Sequence, residues 1–144
     1  MIFISVMPKC ICVIDGQGGG ILIKTLREAY GDTVQLIALG TNALATAQML
    51  RAGANKGATG ENAICRTVPR ADCLVGPIAV TWANAMLGEV TPRIAEAVTS
   101  APAFKILIPL SQEKVEIVGV VKEPLPHLVQ MAVGKRIKEV LNDV

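Results

Sequence analysis

Aromatic residues are nearly missing from this chain. They make up 3% of its 144 residues, as one Trp, one Tyr and two Phe. The core must therefore be built from Ala, Val, Ile and Leu, which suits a parallel sheet covered by helices on both faces. The same lack leaves little to stack on bases. The net charge is only +2, with 14 basic and 12 acidic residues spread along the chain. Nucleic acid is thus not an expected partner. Histidine is reduced to His127, and Cys10, Cys12, Cys65 and Cys73 match no zinc spacing. No metal site is expected, and the cysteines read as reduced, mostly buried thiols. Cys10 and Cys12 fall on the same face of a strand. No run of about twenty apolar residues is present to span a membrane. The stretch "MIFISVMPKCICVI" has no basic region before it and no cleavage-site pattern, which argues against a signal peptide. Met7 offers an alternative start, and residues 1–8 read as an N-terminal extension. A soluble cytoplasmic protein of one domain, residues 1–144, is expected.

Charge is also scarce, at 18% of residues against a usual quarter. Apolar residues reach 51% and the mean hydropathy is +0.48. That surplus leaves apolar surface for a subunit contact, so a homo-oligomer is expected.

What is present is an alternation of apolar runs and helical patterns. A strand over Lys9–Ile14 is followed by helical spacing of Ile21, Leu22, Leu26 and Ala29, closed by Gly31. "VQLIAL" (Val34–Leu39) reads as a buried strand. Thr41 or Asn42 caps the helix "ALATAQMLRA", which Gly53 closes. "NKGATG" reads as a short strand and turn before a helical stretch, Glu61–Thr67. "CLVGPI" is a further strand, and residues 80–88 read as a helix or a lid-like turn. Thr91 caps a helix with Pro92 at its first position. "FKILIPL" is a strand, and "KVEIVGVV" follows too closely for a parallel crossover, so those two should pair antiparallel. "PHLVQMAVGKRIKEVLNDV" is a final amphipathic helix. The fold class expected is α/β: a three-layer Rossmann-like sandwich, mostly parallel, with an antiparallel C-terminal edge strand.

In such a sheet ligands bind at the carboxyl ends of the strands, where strand order reverses. "VIDGQGGGIL" (Val13–Leu22) places Asp15, Gly16, Gln17, Gly18, Gly19 and Gly20 at one of those ends. Gly16-Gln17-Gly18 begins the dinucleotide fingerprint, in which backbone N–H groups approach a phosphate at a helix N-terminus. The third fingerprint glycine would fall at Ile21, and the acidic residue about twenty positions on is replaced by Gly40, Thr41 and Asn42. The loss of that ribose carboxylate argues against a standard NAD site. Thr41 and Asn42 suit a 2′-phosphate, but no arginine accompanies them. No Gly-Lys-Ser/Thr follows the glycines, so this is no Walker loop. Two readings stay open: a phosphate cradle, or a turn that brings the first helix close to the sheet. Asp15 is either a ligand for a ribose hydroxyl, an amine or a metal, or a cap of the glycine turn.

Two further stretches are candidates. "GATGEN" offers Gly60, Glu61 and Asn62 to a ligand, or else starts a helix capped by Thr59. "GPIAVTWANAMLGE" ends a strand at Gly76-Pro77 and carries Asn84 and Glu89 as its polar members. Trp82, Met86 and Leu87 there suit a lid, a subunit contact or core packing. His127 reads as a surface residue or a general base. Nothing forms a complete catalytic constellation.

The stretches "VIDGQGGGI", "IALGTNALAT", "AGANKGATGENAI", "GPIAV" with "NAMLGE", "KILIPL" and "EIVGV" with "KEPLPHL" together resemble one family, the uncharacterised bacterial domain of unknown function 3842. The resemblance runs from about Ile11 to the C-terminal helix. It implies a small Rossmann-like cytoplasmic protein with no assigned reaction and supplies no catalytic residues.

Two functions fit these residues. One is binding of a nucleotide or dinucleotide, NAD(P) among the candidates, with Asp15–Gly20, Gly40–Asn42, Gly60–Asn62 and Gly76–Pro77 converging on one cleft. The other is a non-enzymatic regulatory or assembly module that homo-oligomerises through Trp82, Met86 and Leu87.

Overall fold

The computed structural model describes residues 8–143. All of the expected N-terminal extension except Pro8 lies outside the described residues. Among these residues five strands alternate with helices: β1 (Lys9–Asp15), α1 (Gly19–Tyr30), β2 (Val34–Gly40), α2 (Ala43–Arg51), β3 (Lys56–Thr59), α3 (Glu61–Thr67), β4 (Cys73–Pro77), α4 (Pro92–Ser100) and β5 (Phe104–Ile108). The C-terminal run comprises α5 (Leu125–Met131), a π-helical turn (Ala132–Arg136) and α6 (Ile137–Asp143).

The sheet has the order β3-β2-β1-β4-β5, and every pairing is parallel. β1 is central because both its faces are apolar. Ile11 and Val13 face one helical layer, while Cys12 and Ile14 face the other, all buried. The first layer packs Leu22, Ile23 and Leu26 of α1 with Met49 of α2 and with Val129, Val133 and Ile137 of the C-terminal run. The second packs Ile64 of α3 with Ile94 and Val98 of α4. The result is a three-layer α/β sandwich of Rossmann-like form.

The capping signals act as their residue types dictate. Asn42 Oδ1 accepts from Ala45 N at 2.8 Å, and Thr91 Oγ1 accepts from Ile94 N at 3.2 Å. Gly31 and Gly53 end α1 and α2 with φ of +54° and +121°. Gly60, with φ of +95°, precedes α3, so Thr59 is not its cap. Thr59 Oγ1 instead lies 2.7 Å from Thr46 Oγ1.

One expectation fails. Lys114–Val121 forms no strand, and no antiparallel edge strand is present among the described residues. Gly119, at φ +89°, turns the chain inside the valine run. Val118 is 95% exposed, so no partner face buries it. The chain between β5 and α5 is instead a loop of about sixteen residues without regular structure. A loop that long in a compact domain commonly has a binding or lid role.

Candidate functional site

β1 runs to β2 and β3 on one side, and the chain then returns to β4 and β5 on the other. Strand order therefore reverses between β1 and β4, and a cleft opens at their carboxyl ends. Its volume is about 570 Å³, within the range of small-molecule sites. Asp15, Gln17 and Gly18 form one wall, and Gly76 and Pro77 form another. Met86, Leu87 and Glu89 come from the loop after β4. Leu110–Glu113 and Leu125 come from the long loop and the start of α5.

The glycines are explained by what a side chain would meet. At Gly76 a Cβ would lie 2.4 Å from Ile14 O, the backbone of the neighbouring strand. At Gly40 it would lie 2.0 Å from Thr46 Oγ1 and 2.7 Å from Asn42 O. At Gly19 it would meet Met49 Sδ at 2.6 Å, so this glycine lets α1 approach α2. At Gly16 it would meet Thr41 Oγ1 at 2.4 Å and Met86 Sδ at 2.9 Å. Gly18 differs. Its φ is −129°, and a Cβ there would make only ordinary contact, with Leu125 Cδ2 at 3.7 Å. Gly18 is the glycine of the loop that faces the cleft without a packing reason to be glycine.

Asp15 is buried at the end of β1, and its carboxylate collects the amides of the loop it precedes. Oδ1 accepts from Gly16 N at 2.6 Å and Gln17 N at 3.1 Å, and Oδ2 accepts from Gly18 N at 3.0 Å. The loop does cradle an anion, and that anion is the chain's own aspartate. A phosphate would reach these three amides only by displacing it.

Around this centre the expected residues separate. Gly40 ends β2, where its carbonyl accepts from Gly60 N at 2.9 Å. Thr41 and Asn42 stand behind the cleft wall and meet it through Glu89. Glu89 Oε1 accepts from Thr41 Oγ1 at 2.7 Å and from Asn42 Nδ2 at 2.9 Å. Gly20 lies in the first turn of α1. Gly60, Glu61 and Asn62 do not line the cavity. Glu61 instead accepts from Thr91 Oγ1 at 2.6 Å and pairs with Arg93 at 3.5 Å, joining α3 to α4. His127 is exposed, with Nδ1 3.1 Å from Glu123 Oε2.

The loop from Trp82 to Val90 carries the strongest backbone signal. Asn84, Met86 and Leu87 have φ of +67°, +57° and +56°. Positive φ in residues with side chains is costly and clusters at functional sites. The loop is tied to the cleft's other rim, since Met86 N donates to Glu113 Oε1 at 2.9 Å. Leu87 is fully exposed beside the opening. Sequence reasoning missed the contribution of Leu110–Glu113, because the valine run after them reads as a strand. The two prolines that bound that segment, Pro109 and Pro124, are the available sign of a loop.

Among the described residues Asp15, Glu89 and Glu113 line the cleft, and no Lys, Arg or His does. The thiols lie elsewhere. Burial pushes the Cys73 thiol up to about 12, with Asp72 adding to the shift. A hydrogen bond to Cys10 raises Cys12 well above the usual thiol range and lowers Cys10. A buried thiol held in its neutral form is a poor nucleophile. No helix among the described residues is long and apolar enough to cross a membrane.

No curated protein matches the chain. The model of a family described as a domain of unknown function, DUF3842, matches residues 10–142. That match spans β1 to the C-terminal helix, and the chain belongs to this family.

Proposed function

We propose that this domain binds a nucleotide-type small molecule, NAD(P) among the candidates, in the cleft between the carboxyl ends of β1 and β4. The observation that carries this reading is the position of the cleft. A cavity of about 570 Å³ opens where strand order reverses, the place where parallel α/β sheets take their ligands. Its walls combine apolar side chains for a flat ring with a few fixed polar groups for orientation. Because Asp15 occupies the loop amides, the nucleoside half carries most of the recognition in this reading.

A thermal-shift panel of NAD, NADP, FAD, ATP, GTP, S-adenosylmethionine and coenzyme A tests it. A ligand at one hundred times its dissociation constant adds about 2.7 kcal/mol. We expect a rise in Tm with at least one of these compounds. A flat panel at millimolar ligand contradicts the reading.

The exposed apolar side chains favour a second, compatible reading: a homo-oligomer formed through Leu87 and the exposed valines of the loop before α5. Leu87 is fully exposed, and Val118 and Val121 are mostly so. Light scattering at tens of micromolar protein should give a mass above 15.1 kDa. A strictly monomeric mass contradicts this reading.

A further inference from the structure

We propose that Glu89 is the carboxylate that recognises a ribose diol in this cleft, in place of the acidic residue that a dinucleotide site carries at the end of its second strand. The inference rests on the nucleotide-binding reading and deepens it.

The second strand ends in Leu39-Gly40, and Thr41-Asn42 follow, with no acidic residue among them. A standard site uses an acid there to accept hydrogen bonds from the ribose hydroxyls. Here a carboxylate reaches the same place from another part of the chain. Thr41 Oγ1 and Asn42 Nδ2 hold Glu89 Oε1 at 2.7 and 2.9 Å. Asn42 is itself fixed, since its Nδ2 also donates to Gly16 O at 2.9 Å and its Oδ1 caps α2 at Ala45 N. Glu89 is thereby tied to the end of β2 and to the loop after β1 at once.

The space for this arrangement is built into the sequence. A Cβ on Gly16 would stand 3.1 Å from Glu89 Oε1 and 2.4 Å from Thr41 Oγ1. The first glycine of the loop thus makes room for the side chains that hold the carboxylate. Glu89 lines the cleft. Among the described residues no hydrogen bond is made to its Oε2, which leaves that oxygen to accept from a ligand. A carboxylate suits a diol, because two hydroxyls donate to it in charge-assisted bonds. It also repels a 2′-phosphate, and among the described residues no cationic side chain of the cleft wall offsets that repulsion. The ligand class is therefore a nucleoside or dinucleotide with a free ribose diol, NAD rather than NADP.

Calorimetric titration of adenosine, 2′,3′-dideoxyadenosine, NAD and NADP into the wild type and into Glu89→Gln tests this. Gln retains an oxygen acceptor for Thr41 and Asn42, so the variant should fold with an unchanged Tm. The wild type is expected to prefer adenosine over the dideoxy analogue by about tenfold to a hundredfold, the effect of losing a hydrogen bond to a charged group. It should prefer NAD over NADP. In Glu89→Gln both preferences should fall to about twofold. If nucleosides bind but the wild type ignores the diol, or the variant keeps the full preference, the role of Glu89 is overturned while nucleotide binding stands. If none of the four compounds binds, the role of Glu89 is overturned, while the nucleotide reading falls only if the full thermal-shift panel is flat as well. Should Glu89→Gln fail to fold, the wild-type preferences decide alone.

Discussion

Glycine around this cleft has two distinct jobs, and substitutions separate them. Gly76 abuts the backbone oxygen of Ile14, with 2.4 Å between that oxygen and any added Cβ. A main-chain atom in the middle of a sheet cannot rotate away. Gly76→Ala should therefore cost about 1–3 kcal/mol, the usual penalty of overpacking, read as a lower midpoint of urea unfolding. Gly18 has negative φ and room for a side chain. Gly18→Val should change stability by about 1 kcal/mol or less, yet fill the mouth of the cleft. The expected outcome is a near-native Tm with the ligand-induced shift abolished. A Gly18→Val protein that still binds would place the ligand elsewhere. Much of this was legible in the sequence, which put Asp15, Gly18, Gly76 and Pro77 at strand ends. It was not legible that Asp15 takes the loop amides for itself, since a side chain's choice between a ligand and its own backbone leaves no pattern. Glu89 was legible only as a polar residue in an apolar run. Its approach to Thr41 joins residues 48 positions apart, a separation that no local spacing encodes.

Among the elements, local signals carried far. The helix starts at Asn42 and Thr91 follow from short polar side chains that satisfy first-turn amides. Thr91 is a sensitive one, because its hydroxyl also donates to Glu61 at 2.6 Å. Thr91→Ala should lower stability by about 1 kcal/mol, within the range of lost N-caps, measured by chemical denaturation. The C-terminal helix has the expected amphipathic face but contains a π-helical turn over Ala132–Arg136. Tyr30 of α1 donates to Val133 O at 2.7 Å there, and such local adjustments often mark functional regions. Tyr30→Phe should cost about 1 kcal/mol, the net worth of one hydrogen bond. The failed element is Lys114–Val121. Its composition favours a strand, but a strand forms only against a partner that buries one face. Residue type recorded the propensity, while the missing partner is a property of the assembled sheet.

At the scale of the whole molecule, the two layers bury thiols that contribute a pH dependence to folding. Cys73 is raised from 9.0 to about 12 in the folded protein. The folded state thus holds its proton more tightly than the unfolded chain. This stabilisation is fully present below about pH 9 and is lost as pH climbs towards 12. Unfolding free energy should fall above pH 9 with a slope approaching about 1.4 kcal/mol per pH unit from this group. Cys73→Ala should be less stable at neutral pH and show a shallower alkaline decline. Parallel declines in both proteins would contradict the assignment.

The central claim is that the cleft between β1 and β4 is where this protein meets a nucleotide-type ligand. Amide chemical-shift mapping tests it most directly, with NAD and adenosine titrated into isotopically labelled protein. Perturbations should concentrate at Asp15–Gly18, Gly76, Met86–Glu89 and Leu110–Glu113. Perturbations confined to other surfaces, or none at millimolar ligand, would contradict it.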